Sequence, residues 1–277
     1  MAATSSNTTV TRATSRPIKK QGSTLGFLVR LAFAAWILRA LLLEPFFIPS
    51  GSMLPTMAIG DYLFVEKWPY GYSRFSFPWQ FPPIAGRWLQ RIPKRGDVVV
   101  FKPSSSDHDS WIKRVIGLPG DTVEVRNGGL ILNGRAVPRA ALGPRPVTIS
   151  PNSPCRTIGG PPDVVALNGA AQCLYPTFRE TLPGGRSYLT LDQADVPADN
   201  FGPVTVPAGN VFVMGDNRDD SEDSRFSAAE GGVGFLPVER IVGRAGYAFW
   251  STDGSASYVK PWTWFSALRA DRLGTRY

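Results

Sequence analysis

Histidine is nearly absent: the 277-residue chain has one, His108. A Ser-His-Asp mechanism would have no other imidazole to draw on. His108 lies in Ser104-Ser105-Ser106-Asp107-His108-Asp109-Ser110, a polar run with the composition of a solvated loop, where an imidazole has little support. Cysteine is almost as scarce. Cys155 and Cys173 are the only two, and no metal-ligand cluster accompanies them, which argues against zinc. There is no internal repeat and no long uncharged apolar run, the longest being Leu31 to Leu38. Despite a formal net charge of +8, the arginines are scattered. Without a basic stripe interleaved with aromatics, a nucleic-acid partner is not expected, and attraction to an anionic bilayer surface accounts better for the excess.

What is present begins with residues 24–47, mostly apolar but interrupted by Arg30, Arg39 and Glu44. A crossing helix needs roughly 20 apolar residues, so this is an imperfect span whose charges must sit near the interfaces. Residues 1–23 carry Arg12, Arg16, Lys19 and Lys20 and no acid, which predicts a single-pass anchor with its N-terminus inside. A cleavable signal peptide is the rival reading, but small residues are poorly placed around Glu44-Pro45-Phe46-Phe47.

Beyond the span, Gly60–Glu66, Asp97–Phe101, Thr122–Val125 and Val211–Met214 read as strands, with Gly and Pro punctuating the gaps. The expected fold is mainly β: a transmembrane helix, then an antiparallel β domain over 48–277. A segment of about 122–207, rich in Pro, Gly and Ala, looks inserted. Cys155 and Cys173 fall within it and can pair in an oxidising compartment, two free thiols being the alternative.

Ser52, in Pro49-Ser50-Gly51-Ser52-Met53-Leu54-Pro55-Thr56, follows the apolar segment directly. Serine needs a base to become a nucleophile. The chain has seven lysines, and Lys113 has the unusual setting, in Trp111-Ile112-Lys113-Arg114-Val115-Ile116-Gly117. Read as a strand, this segment puts Lys113 on one face with Trp111 and Val115. Burial there would lower its pKa and make it a general base. By itself the segment also fits a lysine snorkelling from a strand edge.

The order SGSMLPT, WIKRVIGLPGD, GDNRDDSEDSR (Gly215 to Arg225), Gly234-Phe235-Leu236-Pro237 and Val242-Gly243-Arg244-Ala245 resembles the type I (leader) signal peptidases, membrane-anchored endopeptidases with a serine–lysine dyad. The resemblance implies removal of signal peptides from exported preproteins, without a cofactor, at the outer face of the bacterial inner membrane. It implies Ser52 as nucleophile, Lys113 as general base, the Ser50 hydroxyl with the Ser52 N–H as oxyanion hole, and Ser221 orienting Lys113. Pocket walls suited to small residues at −1 and −3 would be Phe46, Ile48, Pro49, Met53, Met57, Leu63, Val100, Trp111 and Ile112. Read without the family, each of these is core and Ser50 a turn residue. Trp111 stands where the family usually has tyrosine. Structural ion pairs are expected between Asp216 and Arg114 and between Asp223 and Arg225. Asp220 replaces a usual asparagine and is expected to face solvent, since an inward carboxylate would raise the lysine pKa.

Other readings are a specialised serine–lysine processing peptidase of the pilin-maturing type and a noncatalytic membrane-tethered binding module. Asp219, Ser221, Asp223 and Glu230 have partial EF-hand spacing, but Ser224 stands where the turn requires glycine, so no metal is expected. Trp262, Trp264 and Phe265 with Lys260, Arg269 and Arg272 read as an amphiphilic patch for the bilayer surface, or as ordinary core.

Overall fold

The structure, a computed structural model, describes residues 24–277 apart from 168 and 258. The expected basic tail lies outside the described residues. Two units are distinguished, one ending at Trp36 and one running Ile37–Tyr277.

Thr24–Leu41 is an α-helix of 18 residues with apolar side chains exposed around it, among them Leu25, Phe27, Leu28 and Phe33. Among the described residues it is the one helix long and apolar enough to cross a membrane. At 1.5 Å per residue it is about 27 Å long, close to the hydrocarbon thickness of about 30 Å. The helix does not continue to residue 47 as the apolar run suggests. Leu43–Phe47 is a strand, paired antiparallel with Asp61–Glu66. Pro45 explains the change: it has no N–H to donate, its ring would clash one turn back, and it biases Glu44 toward extended backbone. Glu44 then bonds Lys67 at 2.9 Å and Arg39 at 3.1 Å.

The rest is β, as its short alternating runs imply. A seven-stranded antiparallel sheet runs in the order Leu43–Phe47, Asp61–Glu66, Ile241–Ser251, Val98–Phe101, Trp111–Gly117, Asn210–Met214, Leu236–Pro237. Register places Lys113 opposite Val99 and Trp111 opposite Phe101. Every residue from Ile112 to Gly117 is buried, so this central strand is covered on both faces. One covering layer is Ile48, Met53, Met57, Leu63, Val65, Phe75, Val98, Val100, Ile112, Val242 and Ala245. Met53 and Met57 have no exposure, and truncating either to alanine would cost about 2–5 kcal/mol.

Two further four-stranded sheets come entirely from the chain between Thr122 and Thr205. Cys155 and Cys173 are joined there, with Cα atoms 5.3 Å apart, and the bridge packs with Leu54, Tyr175 and Leu191. Leu191 carries the chain back to the main sheet region: its N–H donates to the Asp216 carbonyl, and its own carbonyl accepts from the Arg218 N–H.

Candidate active site

Ser52 sits in a tight turn after the strand Leu43–Phe47, and Lys113 on the central strand beneath it. Their side chains meet at 2.8 Å, Nζ to Oγ, and both residues are buried. Burial drives the amine pKa down, the carboxylates of Asp223, Glu222, Asp220 and Asp216 pull it back up, and the balance lies at about 8. Near neutrality the amine therefore has an accessible uncharged form whose lone pair can accept the Ser52 proton. The Trp111 ring lies 5.8 Å from Nζ and shields it on one side.

The pair opens onto a groove of about 750 Å³ lined by Phe46, Pro49, Ser50, Trp111, Ile112 and Asp220, among others. Ser50 is exposed at the groove, and neither its hydroxyl nor the Ser52 N–H has a hydrogen-bond partner among the described residues. Of the nine expected wall residues, Phe46, Pro49, Trp111 and Ile112 line this groove. Ile48, Met53, Met57 and Leu63 have no exposure and Val100 only 1%. These five belong to the buried cluster described above and do not line this groove. Val100 borders a smaller neighbouring groove of about 240 Å³, together with His108. His108 is exposed and does not line the Ser52 groove.

Three details differ from expectation or were missed. Ser221 makes no hydrogen bond to Lys113; its hydroxyl donates to Asp223 Oδ2 at 2.9 Å, because a carboxylate is the stronger acceptor. Asp220 does not simply face solvent. It is half-buried in the groove wall, where its charge helps hold the lysine pKa up. Thr56 and Asn217 were not singled out, yet they brace the turn that carries Ser52. Thr56 Oγ1 donates to Asp216 Oδ2 at 2.5 Å, the Asn217 N–H donates to the Ser52 carbonyl at 3.0 Å, and Asn217 Nδ2 to the Gly51 carbonyl at 3.2 Å. Their only signal in the sequence was membership of the two quoted motifs.

The same loop carries the ion pairs. Arg114 grips Asp216 with Nε at 2.7 Å and Nη2 at 2.6 Å, and Arg225 grips Asp223 with two bonds of 3.0 Å. Gly215 makes the close approach possible. A Cβ there would fall 2.6 Å from the Ser52 carbonyl oxygen and would collide with the Ser221 hydroxyl. The EF-hand-like set does not assemble, since Asp223 is taken by Arg225 and Glu230 accepts from Ser227.

A serine hydroxyl held by a buried amine at the edge of an open groove is the arrangement of a serine hydrolase with a lysine base. The chain belongs to the signal peptidase family, peptidase S26, whose model matches residues 21–250. Signal peptidase I of Rickettsia typhi (strain ATCC VR-144 / Wilmington) is 33% identical over 248 residues, covering 86% of this chain and 83% of the relative. That of Rickettsia rickettsii (strain Sheila Smith) is 33% identical over 280 residues, covering 94% and 93%. A solved signal peptidase I from Enterococcus faecalis V583 aligns with 56% of this chain and 97% of its own at 24% identity. Its TM-score of 0.28 is too low to add weight. As a family member the chain is a serine peptidase that processes signal peptides, and its apolar helix is consistent with the membrane anchor of this membrane-bound family.

Proposed function

We propose that Ser52 is the nucleophile and Lys113 the general base with which this peptidase cuts exported preproteins at the outer face of the bacterial inner membrane. The observation that carries this reading is the buried 2.8 Å contact between the two side chains at the groove. Neutral Lys113 takes the Ser52 proton as Oγ attacks the scissile carbonyl, then returns it to the leaving amine. Water then attacks the acyl carbon as the regenerated amine takes its proton, and that proton passes to Ser52 Oγ as the ester bond breaks. The unpartnered Ser52 N–H and the Ser50 hydroxyl suit the developing oxyanion. Ser221 acts on Lys113 indirectly, by helping fix the Asp223 carboxylate. Neither step calls for a cofactor.

Residues 1–23 are read as a cytoplasmic tail, the helix as a single-pass anchor, and 48–277 as the catalytic domain. The confinement of two sheets to Thr122–Thr205 supports an inserted subdomain of about 122–207. Trp262 and Phe265, 69% and 80% exposed, suit contact with lipid headgroups.

Phe46, Trp111 and Ile112 crowd the groove and favour alanine or glycine at −1 and −3. The test is full-length protein in detergent micelles, with Ser52→Ala as blank, given preproteins that vary at −1. Leucine or phenylalanine there should lower kcat/KM by roughly two powers of ten. Efficient cleavage after leucine would refute the pocket assignment.

A further inference from the structure

Away from Ser52, three carboxylates from two separate stretches of chain converge. Asp192 follows the strand Ser187–Leu191, Asp199 ends the short 3₁₀ turn Pro197–Asp199, and Asp219 lies in the loop that carries Ser221. Each offers one oxygen to a cluster whose atoms all lie within 4.8 Å of one another. Calcium–oxygen distances of about 2.3–2.6 Å allow ligands of one ion to be up to roughly 5 Å apart, so this spacing fits a shared first shell.

Clustered acids alone would not make a site, but these are poorly satisfied. Asp199 is 4% exposed, and its Oδ1 is buried with no hydrogen-bond partner. Asp219 Oδ1 is a second buried oxygen without one. The other oxygens are taken: Asp199 Oδ2 by the Val196 N–H, and Asp219 Oδ2 by the N–H groups of Gln193 and Ala194. Arg139 pairs with Asp192, but Asp199 and Asp219 have no ion-pair partner among the described residues. Two orphaned carboxylate oxygens beside a third carboxylate are costly to bury unless a cation meets them. The donors are all oxygen, which selects a hard ion over zinc or copper.

We propose that Asp192, Asp199 and Asp219 bind one calcium ion, which fastens the 192–199 segment to the loop bearing Ser221. The backbone is already laid out for such a clamp. Leu191 and Asn217 form a parallel bridge, and Gln193 Nε2 donates to Asn217 Oδ1 at 3.1 Å. The ion therefore acts one residue from Asp220 in the groove wall and two from the Asn217 that holds the nucleophile turn.

The test uses full-length protein in micelles, stripped with EDTA and dialysed, with thermal unfolding followed as CaCl₂ or MgCl₂ is added at matched ionic strength. Equilibrium dialysis with radioactive calcium counts bound ions. One calcium per chain is expected. At a hundredfold excess over its dissociation constant it should raise the midpoint by roughly 5 °C or more. Asp199→Asn and Asp219→Asn should each weaken calcium binding at least about tenfold, without lowering the metal-free midpoint, because each removes a repelling charge. Asp195→Asn, an exposed neighbour, should behave as wild type. No bound calcium at millimolar concentration, or an undiminished calcium shift in both cluster variants, would overturn the site. An equal response to magnesium would overturn the choice of calcium.

Discussion

Lys113 and Arg114 are adjacent on one strand and both buried, yet their pKa values are shifted in opposite directions. Arg114 points toward Asp216, which receives two hydrogen bonds from it. Burial alone would lower the guanidinium pKa, but that carboxylate outweighs it and raises the pKa. Lys113 points the other way, and its one hydrogen-bond partner among the described residues is a neutral hydroxyl, that of Ser52. Of the four acids that pull its pKa up, Asp223 is paired with Arg225 and Asp216 with Arg114 itself, while Glu222 and Asp220 have no ion-pair partner among the described residues and act on the amine without a hydrogen bond to it. The difference is the partner, not the burial: a matched carboxylate fixes a buried charge, whereas a hydroxyl leaves the amine free to lose its proton. Alternation along the strand lets one segment serve both ends.

The contrast is broken most severely by giving Lys113 the chemistry of its neighbour. Lys113→Arg keeps a cation but cannot become a base near neutrality, so single-turnover cleavage should fall by at least about three powers of ten while the protein still folds. Near-normal turnover would mean that Lys113 is not the base. The converse change strips Arg114 of its partner. Asp216→Asn leaves a buried uncompensated guanidinium and should lower the unfolding free energy by about 3–5 kcal/mol in denaturant titrations. A loss below about 1 kcal/mol would show that Arg114 relaxes to water.

A perturbation far from both cations separates stability from chemistry. Replacing Cys155 and Cys173 together with alanine opens a bridge of sequence separation 18, which should cost about 3 kcal/mol of stability on the chain-entropy estimate. The cleavage rate per folded molecule should stay within about twofold of wild type; a larger drop would tie the bridge to the site. The gentlest probe is pH. Cleavage needs the neutral amine, whose share grows as pH rises through the Lys113 pKa of about 8. The rate should therefore fall about tenfold per unit below that point and level off above it. A flat profile from pH 6 to 9 would contradict a titrating Lys113.

The elements legible in the sequence were those with local signals. Alternating β-branched runs marked the strands at Asp61–Glu66, Val98–Phe101, Thr122–Arg126 and Asn210–Met214 to within a residue or so. Ser52 and Lys113 stood out through motif order and the scarcity of other bases. The end of the apolar helix at Leu41 was not legible from hydropathy, which does not distinguish Leu43–Phe47 as strand from helix, although Pro45 is a usable stop signal. Ile48, Met53, Met57, Leu63 and Val100 are buried and do not line the Ser52 groove, and an apolar residue near a site carries no mark in the sequence of which layer it joins. Thr56, Asn217 and the Asp192–Asp199–Asp219 cluster depend on contacts between distant segments, and no pattern within one window reports those. The donor choice of Ser221 was likewise set by competition in space, between an amine and the Asp223 carboxylate.

Gly215 has a consequence for how this protein can be rebuilt. Ser52 and Ser221 belong to segments far apart in the chain, and both pack against the space left by the missing methyl of a third residue. Loops exchanged between this protein and a relative will therefore not behave as independent modules. A chimera that imports the 215–225 loop with any side chain at 215 pushes against both the Ser52 turn and Ser221, although every other residue of the site is present. The unit of exchange is the pair of segments with their glycine, taken together.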